Sequence, residues 1–189
     1  MRRSILIALA ALPGLALAGC QSAAERRAAQ TGEIDVANAS TDEVAGLIKA
    51  AQSHAPMQPG KWRFRSDVLA ADLSGLPEAQ RAPTQAALEK QKIDRTSCRT
   101  AKELKPVDLD ALTRVAGTCT FERYTARGGR IDARLACTQG ATTTRIGLQG
   151  TSGTTGFDVA IDQQTGQPGT PGAMSIRMRA RGERVGDCG

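Results

Sequence analysis

Aromatic residues are scarce in this chain: one Trp, one Tyr and three Phe among 189 residues. Nucleic-acid binding by base stacking needs more such platforms than that. The core must be built from Leu, Ile, Val, Met and Ala, and a core that lean benefits from covalent support. Histidine is scarcer still, with His54 alone, in the Pro-containing connector His54-Ala55-Pro56-Met57-Gln58-Pro59-Gly60. Nothing places triad partners beside it, so it reads as a solvated loop residue. No G-x-S-x-G, H-E-x-x-H or P-loop pattern occurs. The small-residue run Gly150–Gly156 lacks the lysine of a phosphate loop and reads as a hairpin turn. Asp108 and Asp110 form a D-x-D without further acidic ligands, which falls short of a divalent-cation site. A membrane-spanning run is also missing, because the apolar stretch Ile5–Leu17 is short and broken by Pro13-Gly14. These absences point away from catalysis, and neither cofactor nor metal is expected.

That short apolar stretch is informative in another way. Met1-Arg2-Arg3 precedes it and small residues close it, which are the parts of a secretory signal peptide over residues 1–19. The segment Leu17-Ala18-Gly19-Cys20 resembles a bacterial lipobox. The resemblance implies cleavage before Cys20, a lipid on its sulfur and acylation of its new amino group. Two or more chains hold a protein stably to a bilayer, where one holds it only marginally. Gln21, not aspartate, follows the cysteine. By resemblance to sorted lipoproteins, the expected location is the outer membrane, facing the periplasm. The membrane, through lipidated Cys20, is the expected partner, and nucleic acid is not. The net charge of +6 is a mild excess that reads as a solvated basic surface.

The other cysteines are Cys98, Cys119, Cys137 and Cys188. An even number in an exported domain predicts two disulfides, with three connectivities open. Zinc would want close pairs or a histidine at ligand spacing, and the gaps here are wide. The even count also argues against a free catalytic thiol.

Residues 20–32 read as a polar, flexible tether, and 33–58 as an N-terminal extension. Within the extension Glu33–Val36 alternates like a short strand, and Ser40-Thr41-Asp42-Glu43 carries a capping-box pattern. Val44, Leu47, Ile48 and Ala51 follow at helical spacing, predicting an amphipathic helix over 41–53. The main domain is expected over 59–189. Trp62, Phe64 and Val68 alternate with Arg63, Arg65 and Asp67, a strand with one apolar face. Residues 77–94 have a helix-forming composition that Pro83 is expected to break or restart. Thr100-Ala101-Lys102-Glu103 is a second capping box, predicting a short helical turn closed by Pro106.

From Cys119 the pattern is a meander. Cys119, Phe121 and Thr125 line one strand, Arg127-Gly128-Gly129-Arg130 turns, and Ile131, Ala133, Leu135 and Cys137 return. Pairing about that turn sets 119 opposite 137, 121 opposite 135 and 125 opposite 131, with Arg123 against Ala133 as a polar exception. Ile146 and Leu148 mark the next strand, and Phe157, Val159 and Ile161 the one after. Residues 162–172 read as a mobile loop. Met174, Ile176, Met178 and Ala180 then alternate with Ser175, Arg177, Arg179 and Arg181. These strands predict an α+β fold, mainly an antiparallel meander with one or two short helices on its N-terminal side. Curvature would make it a half-barrel. A directly opposed 119/137 pair can bridge its hairpin. That leaves Cys98 with Cys188, the pairing preferred over the sequential one.

Arg177, Arg179 and Arg181 recur about 6.8 Å apart on one strand face and are the candidate anion-binding row. Guanidinium groups so placed suit lipid-headgroup phosphates or another anionic envelope polymer. Charges on an exposed strand also serve simply to block edge-to-edge pairing. A second candidate is interior: Trp62, Phe64, Phe121, Phe157, Met174 and Met178 either line an apolar pocket for a lipid-like ligand or constitute the core. A third is a docking face for an envelope protein.

Several fragments share a further likeness. Pro59-Gly60-Lys61-Trp62 resembles the Pro-Gly-x-Trp opening of the bacterial family known as domain of unknown function 3617. Cys98-Arg99-Thr100-Ala101-Lys102-Glu103 is similar to that family's Cys-x-Thr-Pro-Glu-like segment, with Ala101 where proline is usual. The 119-to-137 spacing and the closing Arg184-Val185-Gly186-Asp187-Cys188 resemble it too. The resemblance spans roughly residues 56–188. It implies a small exported protein, often a lipoprotein, with no established activity and no catalytic residues to carry over. The expected function is a membrane-anchored, non-enzymatic binding or envelope-interaction module.

Overall fold

The computed structural model describes residues 22–104, 109 and 117–189. The segment 1–19 read as a signal peptide, and Cys20, Gln21, Pro106, Asp108 and Asp110, lie outside the described residues. Helix α1 (Ala23–Thr31) leads into strand β1 (Ile34–Ser40) and helix α2 (Thr41–Gln52). Strand β2 (Gly60–Asp72), helix α3 (Glu78–Glu89) and strand β3 (Ile93–Arg99) follow. The meander comes last: β4 (Thr118–Arg127), β5 (Arg130–Gln139), β6 (Thr142–Ser152), β7 (Gly156–Thr165) and β8 (Met174–Gly186). All join one open antiparallel sheet of eight strands, in the order β1-β4-β5-β6-β7-β8-β2-β3. The class, the meander and the early helices match the expectation from sequence.

Alternation decides which face is covered. Phe121, Tyr124, Ile131, Ala133, Leu135, Ile146 and Leu148 share one buried face of β4 to β6, and α2 packs Val44, Leu47 and Ile48 into the same cluster. Each Val, Leu, Ile or Phe among them contributes roughly 1.5–3 kcal/mol when fully removed from water. Cys119 and Cys137 are bonded to each other within this layer, and both are buried. Cys98 and Cys188 form the second disulfide, tying β3 to the C-terminus. The preferred pairing is therefore the one formed. Among the described residues no helix is long and apolar enough to cross a membrane.

Several local expectations need correction. From Ala23 the segment read as a flexible tether is helix α1. Ser22 accepts from the Glu25 N–H while the Glu25 carboxylate accepts from the Ser22 N–H, a complete capping box. The helix is held to the fold because Ala28 is fully buried in the core cluster, and Gly32 closes it in a left-handed conformation. Helix α3 runs through Pro83 instead of breaking there. Pro83 is the sixth helical residue and leaves the carbonyl of Ala79, an exposed residue, without its helical donor. Thr100–Glu103 makes a hydrogen-bonded turn in which Glu103 accepts from the Thr100 N–H. Residues 162–165 belong to β7, so the connection to β8 starts at Gly166.

The largest register correction lies in the first hairpin of the meander. Cys119 faces Cys137 and Phe121 faces Leu135, as expected. A register shift between Phe121 and Arg123 then sets Tyr124 opposite Ala133 and Thr125 opposite Asp132. The extra residue of a bulge inverts the face of everything after it. Tyr124, not Thr125, enters the core, and Arg123 moves to the polar face opposite Arg134.

Candidate functional site

The arginine row forms as expected on β8, and the tertiary structure supplies each member with a carboxylate. Arg177 Nε lies 2.9 Å from Asp162, and Arg179 makes a two-pronged contact with Asp158 at 2.7 and 2.6 Å. Arg181 meets Asp67 of β2 at 2.6 Å. Arg65 continues the ladder to Glu183 at 2.9 Å, and Arg63 reaches Asp94 with contacts of 2.8 and 2.6 Å. These are cross-strand pairs, most of them diagonal in the register. The hydrogen bond from Arg179 holds the Asp158 carboxyl below its ordinary range, and Arg63 does the same to Asp94. As exposed pairs they add little stability each, but they neutralise the arginines of the row.

The opposite face of the same strands is built differently. Trp62 is fully buried with Met57 and Leu104, and Phe64 and Phe157 pack against them half-buried. The Trp62 indole N–H donates to the Gln58 carbonyl at 3.0 Å. The ring of Phe157 lies directly across Gly182 of β8, where an added Cβ would come within 2.3 Å of it. Only glycine leaves that space. Along β3, Arg95 lies opposite Phe64 and Arg99 opposite Gly60, so both guanidinium side chains share the aromatic face. Arg99 sits 5.3 Å over the Phe64 ring, a cation–π contact. The cleft lined by Met57, Phe64, Ile93, Arg95, Arg99, Glu103, Leu104 and Phe157 has a volume of about 260 Å³.

A second cleft, of about 310 Å³, opens between the end of α2 and the β4–β5 hairpin. Ile34, Ile48, Met57 and Ile131 supply apolar walls, with Tyr124 among them and His54 and the Arg127–Arg130 turn at its border. Gly128 and Gly129 both adopt positive φ in that turn, a conformation that favours glycine. Tyr124 is 3 % exposed, and burial pushes its hydroxyl pKa up to about 12.

The six residues considered as one apolar pocket do not converge. Phe121 belongs to the core under the helices, Trp62 to the smaller cluster, and Phe64 and Phe157 to the cleft beside it. Met174 and Met178 line none of the clefts described here. His54 is exposed, as expected of a connector. Among the described residues no three His, Cys, Asp or Glu side chains gather as metal ligands. Sequence reading missed Arg95 and Arg99, because β3 is a mostly exposed edge strand without apolar alternation. The available signal was Arg95-Thr96-Ser97-Cys98-Arg99, with arginines an even number of residues apart beside a cysteine.

A family described as "protein of unknown function (DUF3617)" matches residues 57–188 of the chain. No curated protein and no solved structure matches it.

Proposed function

The chain belongs to the DUF3617 family of proteins of unknown function, and from that premise we propose that it is an exported lipoprotein anchored through Cys20, acting in the cell envelope by binding rather than catalysis. The observation that carries this reading is the pair of disulfides, Cys98–Cys188 and Cys119–Cys137. Such bonds persist in oxidising compartments, which agrees with the signal peptide and lipobox-like residues ahead of α1. The ion-paired face argues against the basic row on β8 as the working surface. The aromatic–arginine cleft on the other face favours the second reading, a carrier or sensor of an apolar or anionic lipid-like ligand. The outer membrane, facing the periplasm, is the proposed location.

Fractionation tests the anchoring. The full chain expressed in a bacterial host is expected in the membrane fraction, with a mass carrying acyl chains and lacking residues 1–19. The Cys20→Ser chain is expected in the soluble periplasmic fraction, with both disulfides formed. Membrane association that survives Cys20→Ser would overturn the proposal.

A further inference from the structure

We infer that the cleft between β2, β3 and β7 binds an anionic amphiphile, its phosphate head between Arg95 and Arg99 and the first carbons of its tail on Phe64, Phe157 and Leu104. The inference rests on the binding-module reading above and gives it a ligand class.

The two arginines differ from those of the ladder in what surrounds them. Arg63, Arg65, Arg177, Arg179 and Arg181 each have a carboxylate within 3 Å. Neither Arg95 nor Arg99 has one within 4 Å among the described residues. Among the described residues Glu103 is the one acid lining the cleft, and its carboxylate accepts from both the N–H and the hydroxyl of Thr100 at 2.8 Å. Those bonds, and the charge of Arg99, hold Glu103 below its ordinary range, so it stays ionised. Arg65 and Arg181 also line the cleft but are neutralised by Glu183 and Asp67, so among the described residues one net positive charge remains. Nε of Arg99 is buried and has no acceptor among the described residues. The same holds for Nε of Arg65 and Arg181, but their terminal nitrogens already bind carboxylates. A buried charged donor left without an acceptor is costly, and an oxyanion in the cleft would relieve it.

The apolar side fixes the rest of the ligand. Stacking on Phe64 holds the Arg99 guanidinium in place before any ligand arrives, which lowers the ordering cost of binding. Side chains two apart on a strand stand about 6.8 Å from each other. Four positions apart, Arg95 and Arg99 can approach one tetrahedral head from two sides. The volume of about 260 Å³ lies just below the roughly 300–1,000 Å³ of sites that engulf a whole drug-sized molecule. There is room for a head and a few carbons, so a longer tail extends outside, as it would from a bilayer.

Calorimetric titration of the Cys20→Ser chain with octyl phosphate tests this. Octyltrimethylammonium and inorganic phosphate serve as comparators. Saturable binding of octyl phosphate is expected, with inorganic phosphate at least about tenfold weaker and no saturable binding of the cation. Arg99→Gln is expected to weaken octyl phosphate about 10-fold or more, the scale of one charge-assisted hydrogen bond. Arg95→Gln, at an exposed position, is expected to weaken it several-fold and keeps the test decisive if Arg99→Gln fails to fold. Arg179→Gln, in the ion-pair ladder, is expected to leave it unchanged. Equal affinity for the cationic amphiphile, or full affinity in both Arg95→Gln and Arg99→Gln, would overturn the site. Inorganic phosphate binding as tightly as octyl phosphate would reduce it to a free-anion site and overturn the amphiphile. No binding at all would overturn the inference and leave the anchoring proposal, tested by fractionation, standing.

Discussion

Strands β1, β4, β5 and β6 lie at the end of the sheet where α1 and α2 pack, whereas among the described residues β7, β8, β2 and β3 have no helix in comparable contact. The first region is held by volume. Leu47, Leu135, Phe121 and the Cys119–Cys137 bridge are buried together in one continuous cluster. The second is held by its strand pairing, a small aromatic cluster, an ion-pair ladder and a disulfide between exposed cysteines. A chain poor in aromatics makes one well-covered core and leaves the remaining sheet thin. The thin half retains polar groups without partners, and that is where a ligand has most to offer. Among the described residues the packed half has no such deficit.

The disulfides should show the largest effect of this contrast. Loop entropy alone gives the 90-residue separation of Cys98–Cys188 about 4–5 kcal/mol, against about 3 kcal/mol for the 18-residue separation of Cys119–Cys137. A mild reductant is expected to open Cys98–Cys188 first, because that bond alone is exposed. Differential alkylation followed by mass spectrometry reads the order. If Cys119–Cys137 opens first or together with it, the two halves do not differ as described.

Truncation gives the next largest effect. Leu135→Ala, in the covered half, is expected to cost about 2–5 kcal/mol. Ile93→Ala, 39 % exposed on the edge strand, is expected to stay within about 0.5 kcal/mol. Urea unfolding of both variants makes the comparison. Similar losses would mean that β3 is buried by something beyond the described residues.

The smallest effects are in pH dependence, and they fall at opposite ends of the scale. Burial raises the Tyr124 pKa from 10.0 to about 12, so its contribution is complete below pH 10 and disappears as pH rises towards 12. Asp158 is held below its unfolded value of 3.8, so its contribution is complete above that value and disappears as pH falls through the folded one. Tyr124→Phe should flatten the alkaline limb of the stability profile, and Asp158→Asn the acid limb. Because Tyr124 is the one tyrosine of the chain, tyrosinate absorbance reports it directly. Ionisation near pH 10 in the folded protein would show that the hydroxyl is solvated.

Much of the fold was legible because it follows from local pattern. Period two marked β2 and every strand of the meander, and the Ser40–Glu43 cap located α2 within a residue or two. The same cap logic applied to Ser22–Glu25, but its Ala- and Arg-rich continuation lacks an apolar stripe. Ala28, buried by α2 and the core, makes α1 stable, and no residue near it in sequence announces that contact. Strand β3 escaped notice because an exposed edge needs no alternation. The bulge after Phe121 left no mark in the residue types either, yet it decided that Tyr124 and not Thr125 faces the core.

Composition, the cysteine count and alternating hydrophobicity were enough to determine an α+β sheet protein stapled by two disulfides, because burial and backbone geometry act residue by residue along the chain. Which arginines are neutralised was decided only by the tertiary structure. Arg177, Arg179 and Arg181 looked available in sequence, but strand register sets Asp162, Asp158 and Asp67 beside them. Arg95 and Arg99 carried no functional reading in the sequence, and the register turns them onto the aromatic face away from those carboxylates. Electrostatic pairing acts between strands up to 118 residues apart, at distances that only the folded sheet defines.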